Sequence, residues 1–112
     1  NLIVIGITNR LDMLDSACLR PGRFSCKISI DLPTIMQRTK IWENYYQKVF
    51  DAGIIDKVNC SKLGKMSDKM TGADIEYIFD TSIKQYIMNV LNDKGKNITE
   101  FDLVKLILKY KK

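Results

Sequence analysis

The sequence predicts an α/β segment, consisting of two strands of a parallel sheet, followed by an all-α bundle of about four helices. Three observations predict it. The chain opens on an unbroken apolar run, Leu2-Ile3-Val4-Ile5-Gly6-Ile7, the pattern of a strand buried on both faces. Cys26, Ile28, Ile30 and Leu32 then alternate with Lys27, Ser29 and Asp31, the period of a second strand with one polar face. From Thr34 onward the apolar residues recur at helical spacing.

The totals narrow the function. With 112 residues, 46% hydrophobic and 28% charged, the chain has the composition of an ordered globular protein and the length of about one domain or of a fragment. Its longest apolar run is too short to span a bilayer and lacks the basic leader and cleavage site of a signal peptide. A cytoplasmic location is therefore expected, with the nucleus or the cytosolic face of membranes as further places. Cys18, Cys26 and Cys60 are odd in number and widely spaced, and histidine is absent. A Cys/His metal site, a disulfide framework and a histidine-activated nucleophile are thus not expected. Any catalytic contribution falls to carboxylates, amides or arginines. The net charge of +5 is spread along the chain. Its densest cluster, Lys105, Lys109, Lys111 and Lys112, reads as a solvated helix face and tail. A nucleic-acid partner would need tighter clustering with interleaved aromatics.

The elements follow in order. Thr8-Asn9-Arg10 comes just past the carboxyl end of the first strand, where open α/β sheets hold ligands. Asp12 to Leu19 fits about two helical turns, with Leu14 and Cys18 facing inward. Arg20 precedes a proline, which stops that helix. Arg20-Pro21-Gly22-Arg23 suits a type II turn, with Pro second and Gly third, and places two guanidinium groups at one corner of the surface. Leu32-Pro33 leaves the sheet and separates a first domain, 1–33, from a second, 34–112.

Thr34 and Gln37 form a capping-box pair ahead of a helix whose apolar stripe is Ile41, Trp42, Tyr45, Tyr46, Val49 and Phe50. Asp51-Ala52-Gly53 ends it. A short second helix carries Leu63, Met66 and Met70 on one face. Thr71 and Asp74 cap the third and longest helix, whose expected buried face runs through Ile75, Ile78, Phe79, Ile83, Tyr86, Ile87, Val90 and Leu91. Asp93-Lys94-Gly95 supplies a stop. Thr99 and Asp102 cap the last helix, with Phe101, Val104, Leu106, Ile107 and Leu108 as its apolar face. Short loops between such helices imply a compact bundle.

NLIVIGITNR, DMLDSACLRPGRF, KISIDLP and TGADIEYI, in this order and spacing, together resemble the second half of an AAA ATPase module. The resemblance covers nearly the whole chain. It is closest to the group of the valosin-containing protein (cell-division-cycle) unfoldase and the N-ethylmaleimide-sensitive fusion protein. It implies that 1–33 ends the α/β ATPase core and that 34–112 is the helical lid. Asn9 matches sensor 1, which reads the γ-phosphate and positions the attacking water. Arg20 and Arg23 match arginine fingers acting in trans on a neighbouring subunit's ATP, a role that suits the spread charge of a phosphoryl-transfer transition state. Gly72 and Ala73 match the place where the nucleotide meets the lid, Ile41 matches an apolar contact with the base, and Tyr45 falls where many relatives carry a histidine near the ribose.

The implied cofactors are ATP and Mg2+, and the implied partners are identical or homologous subunits in a ring, expected to be a hexamer, with protein substrates and adaptors. No GxxxxGK[ST] loop occurs here, since Gly64-Lys65 lacks both the earlier glycine and the following Ser/Thr. The phosphate cradle and the Mg2+ ligands are therefore expected upstream, and the segment alone is expected to be inactive. Two other readings remain: a proteasome-type or other AAA branch, and a noncatalytic helical interaction module.

Overall fold

Thr34, Thr71 and Thr99 each start a helix, and each does so through a closed capping box. The threonine hydroxyl accepts the N–H of Gln37, Asp74 or Asp102, and that residue's side chain accepts the threonine N–H in return. Two of the free amides of each first turn are satisfied this way. The computed structural model describes residues 1–20, 22–24 and 26–111. Pro21 of the expected turn and Lys112 of the basic tail lie outside them. The chain divides into two units, Asn1–Asp31 and Leu32–Lys112.

In the second unit the helices are α1 (Ile35–Asp51), α2 (Cys60–Met66), α3 (Gly72–Leu91) and α4 (Glu100–Tyr110). After α1, Gly53 takes a positive φ of 75° and donates its N–H to the Phe50 carbonyl, the left-handed stop that glycine adopts without strain. After α3 it is Asp93, at φ 56°, that turns left-handed. Lys94 then closes the helix end onto the Asn89 carbonyl at 2.8 Å, so the turn comes two residues before Gly95.

The core is built on Trp42, Leu63, Ile75, Ile78, Phe79, Leu103 and Ile107, all 1% exposed or less. Trp42 and Phe79 pack with ring centroids 5.2 Å apart. Leu103 belongs to this core, whereas Phe101 and Leu108, expected on the inner face of α4, are 69% and 53% exposed. The last turns of α3 are likewise open, with Ile87, Val90 and Leu91 exposed. Met70 is buried but follows α2 rather than lying on it.

Helices α1 and α2 are joined by buried polar contacts. Arg38 is buried, its side chain 4% exposed. Its Nε donates to the Gly64 carbonyl at 2.9 Å and its Nη1 to the Pro33 carbonyl at 2.8 Å. Asp68 stands 3.8 Å from Nη2. One turn on, Trp42 Nε1 donates to Ser67 Oγ at 2.9 Å, and that hydroxyl donates to the Leu63 carbonyl at 2.7 Å. Two carbonyls in the C-terminal half of α2, those of Leu63 and Gly64, are thus met by Arg38 of α1 and by Ser67. Gly64 makes the close approach possible, because a Cβ there would lie 3.1 Å from both the Cβ and the backbone N of Thr39.

The loops after α1 and α3 meet in a parallel bridge between Ile55 and Ile98. Two bonds define it, Asp56 N–H to the Ile98 carbonyl at 2.9 Å and Ile98 N–H to the Ile54 carbonyl at 2.8 Å. Glu100 at the start of α4 accepts the Asn59 N–H at 2.7 Å and meets Lys62 Nζ at 3.4 Å. The start of α2 is thereby fixed to the start of α4.

In the first unit, neither expected strand is formed among the described residues. Leu2, Ile3, Ile5 and Ile7, and likewise Ile28 and Ile30, are 80% or more exposed. A strand is held by its neighbours' N–H and C=O groups, and two apolar runs without a ladder cannot supply them. Of the expected fold class, the all-α bundle is present, and the two strands of the α/β part are not formed among the described residues. The single short helix expected over Asp12–Leu19 is instead two 3-10 turns, Leu11–Met13 and Ser16–Leu19. Asp15 interrupts it by accepting the Ala17 N–H while its own backbone is extended, a local bond that competes with helix. Leu14 is accordingly 41% exposed.

Replacing Arg38 with Met keeps the bulk and removes the donors, stranding the Gly64 and Pro33 carbonyls. We expect a loss of about 2–4 kcal/mol, read by urea denaturation with Trp42, the only tryptophan, as the fluorescent reporter. A loss under about 1 kcal/mol would show that water replaces the guanidinium at little cost. Gly64→Ala should cost about 1–3 kcal/mol through overpacking despite its better helix propensity. A stabilised Gly64→Ala protein would mean that α1 and α2 can separate freely.

Candidate functional site

Of the seven residues expected to serve nucleotide chemistry, Asn9, Arg20 and Arg23 lie in the first unit and Ile41, Tyr45, Gly72 and Ala73 in the second. Each set has its own geometry.

In the second set, helix periodicity puts Ile41 and Tyr45 on adjacent turns of α1, beside the buried stripe of Arg38, Trp42 and Val49. Both are half-buried. A Cβ on Gly72 would meet only Ile41 Cδ1, at 3.9 Å, so the middle of α1 and the first residue of α3 are neighbours. Ala73 is exposed beside it. Tyr45 stacks on Phe79 of α3 at 5.6 Å between centroids, with Lys48 Nζ 5.6 Å from its ring. Burial pushes its phenol above the ordinary tyrosine range, and the Glu76 carboxylate adds to the effect. The Tyr45 ring therefore belongs partly to the core, with its hydroxyl end near an acid of α3.

The first turn of α3 has a further feature that the local sequence does not announce. Asp74 Oδ2 accepts the Thr71 N–H at 2.8 Å, while Oδ1 accepts the hydroxyl of Tyr110 at the end of α4. Both carboxylate oxygens are thus engaged. The Thr71 amide first, and the Tyr110 hydroxyl second, hold the Asp74 carboxyl below the usual range. The same contact raises the Tyr110 phenol. Nothing local in the sequence links residues 74 and 110; only the antiparallel return of α4 along α3 brings them together.

In the first unit, Asn9 is exposed in a bend. Next to it the Arg10 N–H donates to Thr8 Oγ1 at 3.0 Å, and the Arg10 guanidinium pairs with both oxygens of Asp12 at 3.3 Å. Gly22 has φ 87° and the Arg23 N–H donates to the Arg20 carbonyl at 3.2 Å. Both features suit the third and fourth positions of a type II turn. Phe24 N–H donates to the Cys18 carbonyl at 3.1 Å and Arg23 Nη1 to the Ala17 carbonyl at 2.7 Å. Arg23 is therefore folded back over its own turn through Nη1, and Arg20 is exposed.

Known proteins give this geometry its family. No family model matches the chain. The chain is 41% identical over 96 residues to the vesicular-fusion protein SEC18 of Candida albicans, a match of 85% of this chain and 12% of that protein. It is 36% identical over 109 residues to the proteasome-activating nucleotidase of Saccharolobus islandicus, covering 97% of this chain and 26% of the relative. A protein of Acanthamoeba polyphaga mimivirus named as an AAA family ATPase is 47% identical over 77 residues, 68% of this chain and 9% of its own length. The chain belongs to the AAA ATPase family. This AAA segment spans about an eighth of the length of the first of these relatives. No helix of its described residues is long and apolar enough to cross a membrane.

The lowered Asp74 carboxyl gives a pH test of the α3 start. A carboxyl whose folded value lies below its unfolded one stabilises the fold at pH above the unfolded value. That stability is lost as pH falls through the folded one. Asp74→Asn should therefore melt below the parent near neutral pH, with the gap closing as pH falls below about 4. A gap that stays constant in melts down to about pH 2.5 would remove the carboxylate from the account.

Proposed function

We propose that the chain is the C-terminal part of an AAA ATPase subunit that works in a ring and couples ATP hydrolysis to remodelling or unfolding of protein substrates. Residues 1–33 close the α/β core and 34–112 form the lid. The observation that carries this reading is identity that runs through both units, up to 97% of the chain in the nucleotidase match. The exposed apolar runs 2–7 and 26–32 support it, since they carry strand patterns that a larger sheet would pair and cover.

Asn9 acts as sensor 1 toward the subunit's own ATP, donating to phosphate and accepting from water through one short amide. Arg20 and Arg23 act in trans, each completing the site of the next subunit in a closed, head-to-tail ring, a hexamer in our reading. The Arg23 contact with the Ala17 carbonyl aims one side of a guanidinium that carries five donors. Gly72 and Ala73 leave room for close approach of the nucleotide to the N-terminus of α3, whose dipole favours negative charge. Ile41 lies against the base and Tyr45 beside the ribose. Because the sequence has no GxxxxGK[ST] motif, the Mg2+ ligands and the phosphate loop are assigned to sequence outside this chain, and the segment alone is expected to be inactive. Lid movement between nucleotide states carries the work to the substrate. The expected setting is cytoplasmic, with adaptors choosing the substrate.

Two branches fit this reading. The 41% match to SEC18 supports the fusion-protein branch, and the fuller coverage of the nucleotidase supports a proteasome-type regulatory ATPase.

The test is Arg23→Ala in the full-length protein, with nucleotide binding and hydrolysis measured separately. Assembled rings should keep binding and lose about 10³-fold or more in hydrolysis. Mixing mutant subunits with subunits defective in their own phosphate loop should restore part of the rate, because the two defects lie in different sites. Unchanged hydrolysis by intact Arg23→Ala rings would remove the finger assignment.

A further inference from the structure

The first turn of α3 cannot be positioned by its own leading side chains. Gly72 has none, and Ala73 is exposed. A Cβ at position 72 would meet only one atom, Ile41 Cδ1, within 4 Å. Besides Ile75, which anchors the turn in the core, two polar groups hold it. One is Thr71, whose hydroxyl accepts the Asp74 N–H at 3.2 Å. The other is the Asp74 carboxylate, which accepts the Thr71 N–H on one oxygen and the Tyr110 hydroxyl on the other. The first contact belongs to α3 alone, but the second comes from the last residue of α4. Tyr110 is also oriented from the side, its ring 5.6 Å from that of Tyr77 at an interplanar angle of 47°. Tyr77 lies three residues beyond Asp74, just under one turn, so ring and carboxylate meet Tyr110 from the same face of α3.

We propose that Tyr110 is a positioning residue for nucleotide binding: through Asp74 it fixes the Gly72–Ala73 turn against which the nucleotide packs. It touches no nucleotide itself. The proposal rests on the reading of Gly72 and Ala73 given above, and it adds the end of α4 to the parts that govern affinity. The chemistry explains why a phenol suits the task. A tyrosine hydroxyl donates one strong bond to a carboxylate without adding a charge beside it. Its ring meanwhile needs only two torsions fixed, and Tyr77 helps to fix them.

The test uses the full-length ATPase with three changes. Tyr110→Phe keeps the ring contact with Tyr77 and removes only the donor. Asp74→Asn weakens the acceptor, and Gly72→Val fills the proposed contact surface. Binding of a fluorescent ATP analogue and steady-state kinetics are measured on assembled rings, with a thermal melt for each variant. Tyr110→Phe should weaken nucleotide binding and raise KM by about three- to tenfold, as for loss of one hydrogen bond, while kcat at saturating ATP changes less than twofold. The Tyr110→Phe, Asp74→Asn double variant should be no weaker than the worse single one, since both act through one contact.

If Gly72→Val weakens binding but Tyr110→Phe leaves affinity and KM unchanged, Tyr110 is merely structural and the inference falls while the site stands. A Tyr110→Phe protein that loses melting temperature or kcat at unchanged KM overturns the inference in the same way. If Gly72→Val also leaves affinity unchanged, the site reading falls as well.

Discussion

The helical unit depends on a charged side chain in its interior. Arg38 has its guanidinium out of water, and such a burial is costly unless every donor finds a partner. Here the partners are largely backbone carbonyls, Gly64 at the end of α2 and Pro33 ahead of α1. The exposed Asp68 is a weaker third contact at 3.8 Å. Carbonyls at a helix C-terminus carry partial negative charge and lack internal partners, so the cation satisfies a need that α2, only seven residues long, could not meet alone. A helix of that length is not stable by propensity. Its place is set by Arg38, by the Trp42–Ser67–Leu63 chain of hydrogen bonds and by the absence of a side chain at Gly64.

That arrangement determines which face of α1 remains for other uses. With Arg38, Trp42 and Val49 committed to the core, the neighbouring strip turns toward α3, Ile41 at its start beside Gly72 and Tyr45 further along. Phe79 completes the link, since it packs on Trp42 within the core and on Tyr45 at its margin. On the other side, the Ile55–Ile98 bridge and the Glu100 contact with Asn59 lock the loops that precede α2 and α4. Where α4 starts is therefore fixed by α2, and where it ends decides what meets Asp74.

Much of this is legible locally. The three capping boxes are encoded within four residues each, and the stop at Gly53 within three, so sequence alone can name them. Core membership is legible where apolar and polar residues contrast, as at Ile75, Ile78 and Phe79. It is poorly legible in α4, where Phe101, Leu103, Val104, Leu106, Ile107 and Leu108 leave almost no polar contrast, and Leu103 does not stand out among them. Arg38 does carry a signal. It stands four residues before Trp42 on the Trp42–Tyr45–Val49 stripe, and an arginine inside an apolar stripe asks for buried acceptors. The two strands fail for another reason. Their side-chain pattern is local, but strand formation needs a ladder from elsewhere. At the candidate site, Ile41 and Gly72 are expected near the same ligand and do lie side by side. The Asp74–Tyr110 contact joins residues 36 apart in sequence, and no periodicity could announce it.

Two glycines show how packing and ligand demands can be told apart. At Gly64 the reason for glycine lies inside the fold. An added Cβ would press on the backbone and Cβ of Thr39, and α1 and α2 could not approach as closely. At Gly72 the same added atom would make one ordinary contact, with Ile41 Cδ1 at 3.9 Å. The backbone there is the start of a helix, where glycine has no conformational advantage over alanine and a lower propensity. The helical unit thus supplies no internal reason for Gly72. Open space of this kind lets a group come close from outside, as the nucleotide does in the reading proposed above. Position 72 offers that space at a helix N-terminus, beside an apolar side chain and behind a capping carboxylate held from two sides.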